Sequence, residues 1–272
     1  LEEYVENMKD WQKDIYYISG SSLDEVKKSA FLESCRAKDV EVLYLTDPID
    51  EYAVQQLKEY DGKKLVCCTK EGLKLDETEE EKKRFSKLKD MYKPLTDWWK
   101  DKLSDFTEKG DLKDAGVKIE AVSLSKRLTN SPVVVVTSQF GYSAQQEKIM
   151  KAQAFQNKDQ ISMMSGRKTL EVNPNHPVVV DLLQKVKDDK DNAAAIDTAQ
   201  VLFQTALIES GYEIADATAL VNRVYRLMSK ELGVDPDAPM KEVEVPEEEE
   251  EEEAEEEDDD EEEDEKEEKE EL

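Results

Sequence analysis

The residues of this chain that are best suited to covalent or metal chemistry are three cysteines and one histidine. Cys35, Cys67 and Cys68 show no Cys-x-x-Cys or Cys/His spacing, so the simplest interpretation is small buried apolar residues and neither a zinc site nor a disulfide framework. His176 stands alone in the segment NPNHP, which favours a structural role where a helix begins. No glycine-rich phosphate-binding loop is present in the sequence. The chain therefore offers no catalytic or cofactor-binding set of its own.

A second chemical feature is a long acidic run at the end of the chain, which holds most of the formal net charge of −29. Residues 247–272 are all Glu or Asp except Ala254, Lys266, Lys269 and Leu272. Such a run has almost nothing apolar to bury, so residues 235–272 are predicted to be a disordered acidic tail. Its many carboxylate oxygens suit low-affinity calcium binding without a specific metal site, or the capture of basic proteins.

Charge and hydropathy also limit the partners. Nothing forms a basic stripe with interleaved aromatic residues, so nucleic acid is not expected as a partner. No apolar run approaches the roughly 18 residues of a membrane span, so membrane insertion is not expected. The chain starts at Leu1 without methionine, and we interpret it as a fragment of a longer protein.

The first part of the chain alternates predicted strands and helices. Strands are predicted at 15–18, 40–45 and 65–68. Between them, Ser22 with Glu25 three residues later predicts a capped helix that continues through Leu32, and Asp47 followed by proline predicts the start of another. This βαβαβ order argues for a small, mostly parallel sheet covered by helices. We therefore expect residues 1–76 to form one α/β unit.

A charged helix is predicted to follow at residues 77–90. Its apolar residues continue at spacings of three and four as far as Trp99, but Pro94 predicts a kink or a break into two helices. Trp98 and Trp99 are interpreted as core or interdomain packing.

The stretch 127–155 has the pattern of a buried strand that turns into an amphipathic helix. Four consecutive valines, 133–136, predict a strand buried on both faces, and Gly141 ends it. A helix lying on a core is predicted from the apolar stripe that follows, Ile149, Met150, Ala152, Ala154 and Phe155. Further strands are predicted at 117–124 and 169–172, and the first of them is expected to pair directly with the valine strand.

Two helices between 193 and 232 carry more apolar surface than they can cover together. On the second helix the apolar residues span an arc of about 160° at about 100° per residue. Pairing with the same two helices of another chain would bury this surface in an isologous four-helix bundle. The residues expected at this homodimer interface are Leu202, Phe203, Leu207, Leu220, Val224, Leu227 and Met228.

Several segments resemble the ninety-kilodalton heat-shock chaperone family. FGYSA at 140–144 and EKIMKAQA at 147–154 resemble the C-terminal region of that family. YYISG at 16–20 and EVLYLTDPIDEYAVQQLKEYDGKKL at 41–65 resemble the end of its middle domain. The resemblance covers Tyr4 to about Pro236. It implies an α+β chain made of the late middle domain (1–76), a charged connecting helix (77–90), a mixed α/β dimerisation domain with a helical bundle (91–234) and the acidic tail (235–272).

The same resemblance implies a molecular chaperone that binds unfolded or partly folded clients. The full-length protein would bind ATP with Mg and hydrolyse it, but that site would lie upstream of this chain. For the client surface we choose side chains that adapt to many sequences, namely Tyr142, Met150, Met163 and Met164. Tyr142 replaces a tryptophan that is usual in the family, and QQEK at 145–148 replaces the more typical NMER. Co-chaperones cannot be identified from the sequence.

The last four residues, Lys269, Glu270, Glu271 and Leu272, are similar to a KDEL-type retrieval signal of the endoplasmic reticulum. Leu272 is the only large apolar residue after Pro246, and it occupies the terminal position that a retrieval receptor would read. The lumen of the endoplasmic reticulum is therefore the expected location, with the cytoplasm as the alternative. The alternative function is a non-enzymatic acidic-tail protein that buffers calcium or carries basic proteins.

Overall fold

The computed structural model describes residues 1–108, 117–153, 168–214 and 216–242. Its strands are β1 Ile15–Ser19, β2 Leu43–Leu45, β3 Glu59–Tyr60, β4 Lys63–Cys67, β5 Ile119–Leu124, β6 Val133–Thr137 and β7 Lys168–Val172. Its helices are α1 Glu2–Glu6, α2 Leu23–Lys28, α3 Glu33–Ala37, α4 Pro48–Gln56, α5 Glu79–Glu108, α6 Ala144–Gln153, α7 Pro177–Asp188, α8 Ala193–Glu209 and α9 Ala217–Glu231, with a 3-10 turn at Ala30–Leu32. None of the helices in these four ranges is long and apolar enough to cross a bilayer.

The first sheet has the strand order β2-β1-β4-β3. Strand β1 lies in the middle and pairs in parallel with both β2 and β4, which confirms the predicted βαβαβ arrangement. The two-residue strand β3 pairs antiparallel with β4 and adds a short edge that the sequence pattern did not indicate. The sheet is therefore mixed, with a parallel centre.

The helix predicted to follow Ser22 is in fact three short pieces, α2, the 3-10 turn and α3. Ser22 does cap α2, because its hydroxyl accepts a hydrogen bond from the Glu25 amide at 3.3 Å. Ser29 then adopts an extended backbone, and its hydroxyl accepts from the Phe31 amide at 3.3 Å to start the next turn. One continuous helix was therefore the wrong prediction, since a serine cap in its middle competes with the helical backbone hydrogen bonds.

The second sheet has the order β5-β7-β6, so the predicted direct pairing of β5 with the valine strand β6 is wrong. Strand β7 lies between them, parallel to β5 and antiparallel to β6. In this register Leu170 of β7 is opposite both Val122 of β5 and Val135 of β6. All five residues of β6 are buried, as the run of valines predicted.

Helix α5 runs through Pro94 as one element, so of the two predicted alternatives the break into two helices is wrong, and the kink stays a prediction. Packing on either side of the proline compensates for the backbone hydrogen bond that it removes. Tyr92 is buried, and its hydroxyl donates to the Pro174 carbonyl at 2.6 Å. Trp98 and Trp99 are also buried, which confirms their interpretation as packing residues. The boundary expected between residues 90 and 91 lies inside this helix.

A buried charged contact joins the two sheets. The Arg127 guanidinium donates to both carboxylate oxygens of Glu171 on β7, at 2.9 and 3.0 Å. The same guanidinium donates to the backbone carbonyls of Cys68 and of Lys70, which follow β4. A bidentate arginine–carboxylate ion pair of this kind is among the stronger polar contacts in proteins. It fixes the position of the first sheet relative to the second.

Candidate dimer and client-binding surfaces

Helix α8 lies against β6 and forms part of the central core. It is capped by Asn192, whose side-chain oxygen accepts from the Ala195 amide at 3.0 Å. At its other end the Ser210 hydroxyl accepts from the Val135 amide of β6 at 2.8 Å. Gly211, with φ of +84°, then reverses the chain, a conformation that favours glycine where a helix ends. Apolar side chains of α8 that are buried in the core are Ala195, Ala199, Phe203, Ala206 and Leu207.

Helix α9 packs back along α8. It begins after Asp216, whose carboxylate accepts from the Ala219 amide at 3.0 Å. Near its other end, the Lys230 ammonium lies 2.9 Å from the Asp197 carboxylate of α8. The two helices form the helical hairpin that the sequence pattern predicted.

Helix α8 covers only one edge of the apolar face of α9. Leu220 is buried on this edge, and Val224 and Leu227 are half-buried. The other edge is exposed and has no cover within the described residues. Along this edge the exposed fractions of the side chains are Val221 42%, Tyr225 61%, Met228 55% and Leu232 77%. Ile208 of α8, which we group with them, is 53% exposed. An apolar patch of this kind on a helical hairpin marks an interaction surface. We call these five residues the exposed α9 edge.

The residues expected at a dimer interface are divided between two environments. Phe203 and Leu207 are fully buried in the core of this chain, and Leu202 is partly buried against that core. Met228, in contrast, belongs to the exposed α9 edge, and Tyr225 lies beside it at the preceding turn. Side chains that fill the chain's own core hold α8 in place, whereas the exposed ones are available to a second chain.

Helix α6 buries a different face from the one that its apolar stripe predicted. Ile149 is only half-buried and Ala152 is exposed, while Gln146 and Glu147 are buried. Ser143 begins the helix, with its hydroxyl accepting from the Gln146 amide at 3.0 Å. The polar face turns inwards because its carboxylate has a partner in the core. Phe155, the last residue of the predicted stripe, lies outside the described residues.

That partner is Lys168, the first residue of β7. Its ammonium lies 2.6 Å from the Glu147 carboxylate, and the two side chains are 0% and 6% exposed. The Lys168 ammonium also lies 4.6 Å from the centroid of the Tyr212 ring. Burial lowers the pKa of Lys168, although the nearby Glu147 carboxylate opposes this shift. Sequence reasoning missed this pair, since a Glu on a helix and a Lys at the start of a strand are each typical of exposed positions.

Of the residues chosen for the client surface, Tyr142 lies just before α6 and Met150 lies within it. Tyr142 and Met150 are both half-buried, so each offers part of its side chain to a ligand. Met163 and Met164 lie outside the described residues. Phe140, in the turn before α6, is 85% exposed and was not chosen from the sequence. Its position in the FGYSA segment is the signal that could have found it.

A carboxylate on α3 holds the turn that precedes β6. The Glu33 carboxylate accepts from the backbone amides of Thr129, Asn130 and Ser131, and from the Ser131 hydroxyl at 2.6 Å. Burial raises the pKa of Glu33, but these hydrogen bonds, that of the Ser131 hydroxyl foremost, outweigh it and lower the pKa overall. Glu209 of α8 also accepts from the Ser131 hydroxyl, at 3.3 Å, and burial raises its pKa. This contact is a second connection between the two sheets.

The histidine and the cysteines have structural surroundings. The Nδ1 atom of His176 accepts from the Val178 amide at 3.3 Å and caps α7, which confirms its predicted role. The cysteines are buried as free thiols. In the part of the chain that the structure describes, no three His, Cys, Asp or Glu side chains are grouped to hold a metal ion. The acidic run and the four retrieval-like residues lie outside the described residues.

Comparisons with known proteins identify the family. The profile of the Hsp90 protein family matches residues 1–264. An endoplasmin homolog of Hordeum vulgare is 43% identical over 244 residues, which cover 90% of this chain and 28% of that protein. The putative heat shock protein HSP 90-beta-3 of Homo sapiens is 43% identical over 235 residues, which cover 86% of this chain and 37% of that protein. The chain thus spans about a third of the length of these relatives, and it belongs to the Hsp90 family of chaperones.

Proposed function

We propose that this chain forms a homodimer through the exposed α9 edge. The observation that carries this proposal is a row of four apolar side chains, three on α9 and Leu232 directly after it, that the hairpin leaves uncovered. A second copy related by a twofold axis would place the same row opposite itself, because an isologous interface joins identical patches. The two α8–α9 hairpins would then form a four-helix bundle.

The second part of the proposal is a client-binding surface around α6. Phe140 is highly exposed, and Tyr142 and Met150 are partly exposed on the same turn and helix. We include Met163 and Met164, which follow α6 in the sequence, in this proposal because of their residue type. Flexible methionines and aromatic rings adapt to many unfolded or partly folded sequences. The function proposed for the chain is therefore to hold two protomers together while they bind clients.

A test of the client surface is the suppression of aggregation of a heat-denatured client protein by the 272-residue chain. We expect Met163→Ser/Met164→Ser and Phe140→Ser each to reduce suppression severalfold, because they remove apolar contact area from a promiscuous surface. Met91→Ser, which changes an exposed methionine of α5, is the matched control and should act like the parent. Parental suppression by both test variants would exclude this choice of site.

The acidic run supports a second candidate function, calcium buffering or the capture of basic proteins. Deleting residues 247–272 distinguishes the chaperone function from the acidic-tail function. If the truncated chain still suppresses aggregation but no longer binds calcium at low affinity, the run is accessory to the chaperone. If suppression is lost together with the run, the acidic-tail function is the better description.

The ATP-driven activity of the complete protein is also a proposal. ATP with Mg would bind and be hydrolysed in a part of the protein outside this chain, and the chain would contribute dimerisation and client contact to that cycle. A role in the stress response follows from membership of a heat-shock family.

We place the protein in the lumen of the endoplasmic reticulum rather than in the cytoplasm. Support comes from the terminal Lys-Glu-Glu-Leu and from the endoplasmin homolog among the relatives. Adding one residue after Leu272 should release a lumenal form of the protein into the medium, because a retrieval receptor reads the chain terminus. The measurement is secretion from cultured cells with a signal peptide supplied to both forms. Equal retention of both forms would contradict this location.

A further inference from the structure

A groove of about 760 Å³ lies between the first α/β unit and the beginning of α5. The segments around Trp11 and Lys74 line one side of it, and α5 from Glu81 to Lys89 lines the other. The turn after β5, with Lys126, borders the same groove. The described residues that line it include none of α6 or α9, so the groove is separate from the proposed client and dimer surfaces. Its volume falls in the range of sites that enclose a ligand.

The groove is positively charged, although the chain as a whole is strongly acidic. Eight lysines and arginines and five aspartates and glutamates line it, so the groove has a net charge of +3. The chain carries a net charge of −29. A cleft lined by an excess of one charge attracts ligands of the opposite charge. The groove therefore favours an anionic ligand.

Most of the groove cations are available to such a ligand. Glu171 is paired with Arg127 at 2.9 Å, and Glu77 with Lys126 at 2.7 Å. Three groove carboxylates make no ion pair among the described residues, and five groove cations make none either. These carboxylates are Asp14, Asp76 and Glu81, and these cations are Lys13, Lys38, Lys74, Arg84 and Lys89. A carboxylate that enters the groove can therefore pair with a cation without displacing an existing ion pair.

An aromatic ring in the groove holds two of its cations in place. The ammonium groups of Lys89 and Lys126 lie 5.3 and 4.7 Å from the centroid of the Phe85 ring. Contacts of this kind attract a cation to the face of the ring. Side chains that are already held lose less conformational freedom when a ligand binds. The groove thus presents part of its positive charge in a preformed arrangement.

We propose that this groove binds the acidic run of the protein itself, residues 247–272. Charge complementarity carries the assignment, because the run has 22 acidic and 2 basic residues and is the most anionic segment of the chain. Thirty residues follow the last described residue, Glu242, and at about 3.3 Å per residue they can extend over about 100 Å. Attachment to the same molecule gives the run an effective concentration on the order of millimolar, so weak ion pairs are sufficient to hold it.

Docking in the groove has consequences that go beyond the proposed functions of dimerisation and client binding. A run held by the groove cations is less available to calcium and to basic proteins, which compete for the same carboxylates. The contact also joins the first α/β unit to α5 through a shared anionic segment. Because exposed charges carry this interaction, salt weakens it.

The test is carbodiimide crosslinking of the full 272-residue chain, which joins a carboxylate to an amine that is in direct contact with it. We expect crosslinks from residues 247–272 to Lys13, Lys74 and Lys89 at low ionic strength. They should be about fivefold more abundant than crosslinks to Lys58 and Lys64, which are exposed lysines of the first unit outside the groove. In about 0.5 M NaCl they should fall to the level of these two controls.

A matched pair of variants tests the groove charges directly. Lys74→Glu/Arg84→Glu should reduce the crosslinks of the run to Lys13 and Lys89 severalfold, whereas Lys58→Glu/Lys64→Glu should leave them at the parental level. All four substituted side chains are exposed, so both variants should keep the melting temperature of the parent. Crosslinking to Lys58 and Lys64 as strong as to the groove, or parental crosslinking in Lys74→Glu/Arg84→Glu, would overturn the proposal.

Discussion

Replacing Tyr225 by Asp is expected to convert a dimer of this chain into monomers. Tyr225 is 61% exposed at the middle of the exposed α9 edge, so the change leaves the core of the monomer intact. In an isologous interface both chains contribute the same patch, so the interface contains the substitution twice. A loss of about 2 kcal/mol for each copy becomes about 4 kcal/mol, which weakens the dimer roughly a thousandfold. Light scattering coupled to size-exclusion chromatography at low micromolar concentration would show the change in mass.

The matched control is Asn222→Asp, which adds the same charge to the same helix. Asn222 lies about 60° around the helix from Tyr225 at about 100° per residue, outside the apolar arc. It should therefore keep the mass of the parent. Met228→Asp should behave like Tyr225→Asp, because both side chains lie on the exposed edge. A dimeric mass for both test variants would show that this edge is not the interface.

The exposed positions make a cleaner test than Leu220 or Val224, which the apolar arc alone also suggests. Leu220 is buried against α8 and Val224 is half-buried, so an aspartate at either position would also disturb the hairpin inside one chain. A loss of the dimer would then have two explanations. The apolar arc of α9 looks continuous in the sequence. The structure divides it into a covered edge with Leu220 and Val224 and an exposed edge with Tyr225 and Met228.

Local patterns predicted most of the strands and helices and the parallel centre of the first sheet, but not the strand order of the second sheet. The valine run and the Ser22 cap depend on neighbours in sequence, and both are found in the structure. Pairing in the second sheet is not local. Strand β7 follows β6 after 30 residues of sequence and still lies between β5 and β6. The residue patterns of β5 and β6 do not indicate this order. The continuity of α5 through Pro94 is similar, since distant packing around Tyr92 and Trp99 supports it.

The surfaces show the same difference between what local spacing predicts and what depends on distant contacts. Spacing alone identified an apolar arc on α9, but it could not show that Phe203 and Leu207 of α8 are used inside the chain. The polar contacts were even harder to predict from the sequence. Glu33 and Ser131 are separated by 98 residues, and Glu171 and Arg127 by 44. Each of these residues is ordinary in its local segment, and only the folded chain shows that they are partners.

Removing the ammonium group of Lys168 is the second change with a large expected effect. Lys168→Ala leaves the Glu147 carboxylate in a core position, with a side chain that is only 6% exposed. Breaking a buried pair by removing one member typically costs about 3–5 kcal/mol, because the desolvated charge loses its compensating partner. We expect a loss of this size in the free energy of unfolding, measured by urea denaturation at pH 7 with tryptophan fluorescence.

The control is Lys185→Ala, which removes an exposed pair on α7 with a separation of 2.7 Å from Asp181. Exposed pairs of this type contribute less than about 0.5 kcal/mol. The double variant Lys168→Met/Glu147→Leu should recover most of the lost stability, since apolar side chains of similar size can replace a buried pair. Equal unfolding free energies for Lys168→Ala and Lys185→Ala would contradict the role of the buried pair.

This experiment also bears on the client surface. Glu147 lies on α6 between Tyr142 and Met150, and its contact with Lys168 turns the polar face of α6 towards the core. The half-buried state of Ile149 and Met150 follows from that orientation. If the double variant regains stability but suppresses client aggregation less well than the parent, the ion pair sets which side chains of α6 reach a client. Parental suppression by the double variant would limit the pair to a role in stability.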